Sequence, residues 1–189
     1  MRLYRNMKMA QLNNSQKQIL LKIAREAIEA KLQGLPLPKY EINDLKLNEK
    51  PGVFVTLTRN GELRGCIGAF YPQTPLWQTV QKMAAEAAFN DPRFPPVNSE
   101  ELKDIEIEIS VLSKPKKIND WQKIKLGKHG VIIKYQNRTG TFLPQVAEET
   151  DWTLEQFLSQ LCSQKCGLPP DAYKNPNTEI FVYEVKKIN

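Results

Sequence analysis

The chain has 189 residues, with 27 Lys and Arg against 21 Asp and Glu, and a formal net charge of +6. That length suits one domain, or one domain with two lobes. It buries roughly two-thirds of the unfolded chain's surface without disulfides or a structural metal. With 41% hydrophobic and 25% charged residues, whole-chain disorder, collagen-like repeats and coiled coil are excluded.

No apolar run approaches the ~18 residues of a membrane span, so no membrane partner is expected. The basic start MRLYRNMKMA has no apolar segment behind it, and a secretory signal is not expected either. The cysteines are an odd set, Cys66, Cys162 and Cys166. That favours a reducing, cytoplasmic setting over a disulfide framework.

In chain order, residues 1–14 read as a flexible basic arm, and residues 15–189 as a single domain with two subdomains. A helix is predicted from Ser15, where Ser15 and Gln18 fit a capping box. Ile19, Leu20, Ile23, Ala24, Ala27 and Ile28 share one face, and Gly34 with Pro36 and Pro38 ends it. The runs VFVTLT and LRGCIGAF flank Asn60-Gly61, which predicts a two-residue hairpin of type I′. An unbroken register from that turn sets Cys66 opposite Val55 and Arg64 opposite Leu57, with Arg64 and Cys66 on one face. Gly65 and Gly68 flank the cysteine, as a bulge or a close approach to the backbone requires.

A second helix follows, capped by Thr74, with Pro75 in its first turn and Ala84, Ala85, Ala87 and Ala88 suited to close packing on a sheet. It stops before Asp91-Pro92, in a stiff loop carrying Arg93 and Phe94. Ile105, Ile107, Ile109 and Val111 alternate with Glu106, Glu108 and Ser110 in a strand. Residues Lys114–Arg138 hold eight basic residues and one acid, a local net charge of +7. Within them, Gly127-Lys128-His129-Gly130 reads as a turn into the strand Val131–Tyr135. Thr153 and Gln156 cap a third helix with Leu154, Phe157, Leu158 and Leu161 inward, and Gly167 ends it. A last strand spans Glu179–Val185. Hairpins imply antiparallel pairs, so the fold class is α+β or two-lobed α/β, with a mixed, largely antiparallel sheet and packed helices.

Several residues suit chemistry. A thiol reacts as thiolate, which a nearby cation favours, and Arg64 is the candidate cation for Cys66. A small buried hydrophobe explains Cys66 as cheaply. His129, the sole histidine, suits a general base, or a surface turn. Glu106 and Glu108 suit orienting roles or an exposed sheet face. Cys162 and Cys166 have helical i, i+4 spacing. They make half a zinc site, completed by Cys66 and His129 only if the fold gathers all four, and core packing is the simpler reading. No dinucleotide, phosphate-loop, hydrolase, zincin or calcium motif occurs, and no cofactor is expected.

Leu63-Arg64-Gly65-Cys66-Ile67-Gly68 resembles the signature of the AMMECR family, called AmmeMemoRadiSam system protein A in prokaryotes. The resemblance continues at Asp91-Pro92-Arg93-Phe94-Pro95-Pro96 and Glu108-Ile109-Ser110-Val111-Leu112. It continues again at Gly127-Lys128-His129-Gly130-Val131, at Thr141-Phe142-Leu143-Pro144-Gln145-Val146-Ala147 and at Trp152. It covers roughly residues 15–185 in the family's order. It implies a two-subdomain fold with a cleft between the subdomains where the motif residues gather, and a modification system with Memo-type and radical SAM proteins as partners.

Two functions are expected to compete. One is a thiol-dependent enzyme, with Cys66 as nucleophile, His129 as base and Glu108 as orienter. Arg64, Gly65, Arg93 and Gln145 would then hold an anionic small molecule. The other is a non-catalytic protein-interaction or nucleic-acid-binding subunit using the basic 114–138 segment.

Overall fold

The computed structural model describes residues 12–189. Residues 1–11 of the expected N-terminal arm lie outside the described residues. Leu12 is buried in a hydrophobic cluster, and α1 (Asn14–Leu32) begins just behind it. The end of the expected arm is therefore part of the fold. The chain divides into two compact units, residues 12–112 with Lys186–Asn189, and Ser113–Val185.

In the first unit, α1 is capped two residues earlier than the sequence suggests. Asn13, not Ser15, closes the capping box: its side chain accepts from the Gln16 N–H at 2.9 Å, and Gln16 Oε1 accepts from the Asn13 N–H at 2.9 Å. Gln16 also donates to Asp44 Oδ2 at 2.9 Å, a tertiary contact that favours this register over its neighbour. Leu20, Ile23, Ala24, Ala27 and Ile28 form the buried stripe, while Ile19 stays exposed. Burying each large aliphatic side chain contributes about 1.5–3 kcal/mol.

β1 (Val53–Arg59) and β2 (Glu62–Ala69) form the expected hairpin, with Asn60 at φ 54° and Gly61 at φ 80°. Arg59 pairs with Glu62 and Thr58 with Leu63, and then the register shifts, so that Leu57 pairs with Gly65 and Thr56 with Cys66. Arg64 is the extra residue of a β-bulge. This corrects the unbroken register: a one-residue slip turns every later side chain to the other face. β1 also pairs antiparallel with β3 (Ile105–Leu112), so β1 lies between β2 and β3, and among the described residues no strand pairs with the outer side of β2.

One face of these strands carries Val53, Val55, Leu57, Ile105, Ile109 and Val111 into the core with α1 and α2 (Leu76–Phe89). Thr74 does not cap α2. Its hydroxyl pairs with that of Thr79 at 2.9 Å, and Pro75 holds the cap position without a side-chain bond. The alanine-rich face of α2 does pack closely: a Cβ on Gly65 would lie 2.2 Å from the Ala87 carbonyl oxygen.

In the second unit, β5 (His129–Tyr135) pairs antiparallel with β6 (Arg138–Phe142) and with β7 (Glu179–Ile188). β4 (Lys116–Ile118), inside the basic segment, also pairs with β7 and was not evident from the sequence. A short α3 (Gln145–Glu148) precedes α4 (Leu154–Gln160), which runs into a π-helical turn, Leu161–Lys165. Thr153 and Gln156 make the expected capping box, and Gly167, at φ 61°, follows the helix end. Val131, Ile133, Phe157, Leu158, Leu161 and Cys162 form this unit's core. The fold class is α+β, with antiparallel strand pairs and packed helices.

Candidate functional site

The bulge at Arg64 decides where Cys66 points. Beyond it, Gly65, Ile67 and Ala69 pair with the core-facing Leu57, Val55 and Val53. Cys66 therefore lies on the face turned away from α2, in a row with Thr56 and Glu108 across three adjacent strands. Thr56 Oγ1 donates to Cys66 Sγ at 3.4 Å. Cys66 is partly exposed, whereas Cys162 and Cys166 are buried in the second unit's core. Burial pushes the Cys162 thiol up to about 11 and raises that of Cys166.

The backbone of Cys66 is held from the outer edge of β2. Its N–H donates to Asp91 Oδ2 at 2.8 Å, and its carbonyl accepts from Arg93 Nη2 at 3.3 Å. Thr56 and Cys66 are thus a non-hydrogen-bonded pair, the kind whose side chains come closest. Asp91 is 4% exposed. It accepts from the Arg93 backbone N–H at 3.1 Å, from Nε at 2.9 Å and from Nη2 at 2.7 Å. The Arg93 guanidinium, seconded by the Cys66 and Arg93 backbone N–H groups, holds the Asp91 carboxyl well below the usual carboxylate range. Arg93 also lies over the Phe94 ring, 5.3 Å from its centroid.

Arg64 is not beside the thiol as an unpaired cation. It makes a two-pronged bond to Glu101, at 2.9 and 2.8 Å, and Arg59 approaches the same carboxylate at 3.5 Å. Arg64, with lesser help from the Asn98 N–H and Arg59, lowers the Glu101 carboxyl. One nitrogen of Arg64, Nη1, is buried with no hydrogen-bond partner.

The glycines do not open the backbone to a ligand in the way the sequence suggests. The Ala87 carbonyl fills the space over Gly65, and the Phe54 ring covers Gly68, where a Cβ would lie 2.3 Å from it. Glu108 pairs with Lys187 at 3.3 Å, and Glu106 accepts from Thr58 at 3.5 Å. One pleat along from Glu108, the Ser110 hydroxyl is buried, at 1% exposure, and has no partner.

The other expected residues belong to the second unit. His129 begins β5 rather than sitting in the turn, opposite Glu184. Its Nδ1 accepts from the Lys125 backbone N–H at 3.2 Å. Burial lowers its pKa, reinforced by Lys128 and Lys125 and opposed by Glu184, so the neutral imidazole is the neutral-pH form. Gln145 opens α3, partly buried, with no side-chain hydrogen bond. The basic segment is partly offset by β7: Lys117 pairs with Glu179 at 2.5 Å, Lys128 with Glu184 at 3.2 Å, and Lys134 lies opposite Glu179. Among the described residues, no cluster of three or more His, Cys, Asp or Glu could hold a metal, and no helix is long and apolar enough to cross a membrane.

Thr56 and Asp91 are the functional candidates that residue-type reasoning missed. Thr56 looks like any β-prone residue in VFVTLT. Asp91 stands in the Asp-Pro-Arg-Phe loop, whose stiffness was legible although its target was not.

Known proteins resemble this chain in sequence and fold. The AMMECR1 family model matches residues 21–188. The chain belongs to that family. It is 46% identical to protein NEQ441 of Nanoarchaeum equitans, over 87% of this chain and 95% of that one. It is 42% identical to a protein of Methanothermobacter thermautotrophicus, covering 95% of this chain and 97% of the relative. The crystal structure of the uncharacterized protein PH0010 from Pyrococcus horikoshii superposes with a TM-score of 0.82 at 37% identity, over 93% of this chain and 92% of the other.

Proposed function

We propose that this AMMECR1-family chain works through a presented thiol, Cys66, as a thiol-dependent enzyme or component of a modification system. The observation that supports the reading is the fixation of Cys66. Asp91 and Arg93 hold its backbone at 2.8 and 3.3 Å, while its side chain stays partly exposed beside the Thr56 hydroxyl. A nucleophile needs a fixed position and a donor for the charge that develops on it. The Thr56 O–H is such a donor for a thiolate.

In the step envisaged, Cys66 loses its thiol proton to solvent base and Sγ attacks an electrophilic carbon. An S–C bond forms, and the leaving group departs with its electron pair. This reading uses residues of the first unit alone, with Glu108 in the same row as Thr56. Memo-type and radical SAM proteins are the proposed partners, on the strength of the resemblance stated above. The nucleic-acid alternative is less supported, because glutamates of β7 offset part of the basic segment.

Complementation of a strain lacking this gene tests the reading. C66A and C66S are expected to fold as wild type, Cys66 being half-buried, and to fail in the cell. Full complementation by C66A contradicts the proposal. Co-purification with a Memo-type protein tests the partner assignment separately.

A further inference from the structure

The Asp91–Arg93 pair is asymmetric toward solvent. The carboxylate is 4% exposed, while the Arg93 side chain is 54% exposed. A buried anion behind an exposed cation presents its positive end outward. Two of the three guanidinium nitrogens are in use, Nε and Nη2 on Asp91 and Nη2 also on the Cys66 carbonyl. Nη1 makes no hydrogen bond. The guanidinium thus lies against the Cys66 backbone with the N–H groups of Nη1 free. Arg64, the other cation near this strand, is already committed to Glu101.

The same face holds a second unmet polar demand. Ser110 Oγ, buried and without a partner, lies two strands across from Cys66 and one pleat along, roughly 12 Å away at ordinary strand spacing.

We infer that Arg93 makes the Cys66 site selective for anionic electrophiles, compounds carrying a carboxylate or phosphate next to the carbon that Sγ attacks. The inference rests on the thiol reading above. Arg93 touches the anionic group, not the reacting atom, so it is a specificity residue. The role needs the positive charge and the free N–H groups of Nη1, since Nε and Nη2 are engaged.

Paired alkylating agents test it. Iodoacetate and its neutral amide react identically: Sγ–C forms, C–I breaks, iodide leaves with the electron pair and the thiol proton passes to buffer. Their rate ratio at Cys66, read by peptide mass spectrometry, removes thiol nucleophilicity from the comparison. For the folded chain the expected iodoacetate-to-iodoacetamide ratio is about threefold or more above that of Cys66 in the unfolded chain, the effect of one unit charge at ~6 Å in a watery setting. R93Q is expected to return it to the unfolded value, and R93K to keep most of it. The wild-type advantage is also expected to shrink between about 20 mM and about 500 mM salt. That measurement stands even where R93Q does not fold.

A folded ratio equal to the unfolded one, or a ratio that R93Q leaves unchanged, overturns the inference. If Cys66 reacts with neither reagent in the folded chain, the thiol reading itself is overturned, which is a different result.

Discussion

Asp91 accepts the Cys66 backbone N–H at 2.8 Å and so stands where a neighbouring strand would bond the outer edge of β2. Arg93 completes the substitution by donating to the Cys66 carbonyl at 3.3 Å. The loop thus satisfies an edge that would otherwise offer itself to another chain, and it does so at the residue whose side chain is presented.

This relationship predicts a specific acid sensitivity. The Asp91 carboxyl is lowered chiefly by Arg93, and that of Glu101 chiefly by Arg64. A carboxyl lowered by folding adds stability that is fully present above its unfolded value, near ~4, and lost as pH falls through the folded value. Urea midpoints are therefore expected to be flat from neutral pH down to about 4 and to fall below it. D91N is expected to cost about 2 kcal/mol at neutral pH and to show a shallower acid decline than wild type. An equal decline in both proteins would remove Asp91 from the account.

Gly65 and Gly34 separate packing from backbone strain. A Cβ at Gly65 would meet the Ala87 carbonyl at 2.2 Å, whereas Gly34, at φ 71°, has open space around it. G65A is expected to destabilise by about 3 kcal/mol, because backbone must move. G34A pays only for a left-handed conformation, about 1 kcal/mol. Chemical denaturation of the two variants side by side checks the order.

The turn between β5 and β6 holds Gln136 at φ 52°, a conformation that glycine adopts freely. Q136G is expected to raise stability by about 0.5–1 kcal/mol, visible as a rise of roughly 1–4 °C in Tm. No gain, or a loss, would mean that the Gln136 side chain compensates the strain.

The hairpin shows how much of this site was legible in the sequence. Asn60-Gly61 marked the turn correctly, since both residues take positive φ. Alternation alone then carried the register straight through Arg64 and set Cys66 opposite Val55, a core-facing residue. The bulge adds one residue without changing composition, so it leaves no periodic trace, although Gly65 beside it is the residue a bulge tolerates. In the fold Cys66 lies opposite Thr56, on the other face. Long-range partners were equally out of reach: nothing near Arg64 in sequence points to Glu101. The same limit applied to α1, where Asn13-x-x-Gln16 and Ser15-x-x-Gln18 are equivalent until the bond from Gln16 to Asp44 separates them. The helix stripes and the Thr153–Gln156 cap depend on local spacing alone, and there sequence and structure agree, apart from the exposed Ile19.

The central claim is that Cys66 is the one presented thiol among three. Alkylation with iodoacetamide at neutral pH, followed residue by residue by mass spectrometry in the folded and the unfolded chain, tests it most directly. In the folded chain Cys66 is expected to label promptly, while Cys162 and Cys166, buried and with thiols raised by burial, stay unlabelled until the chain unfolds. Protection of Cys66 to the same degree as Cys162 would contradict the account.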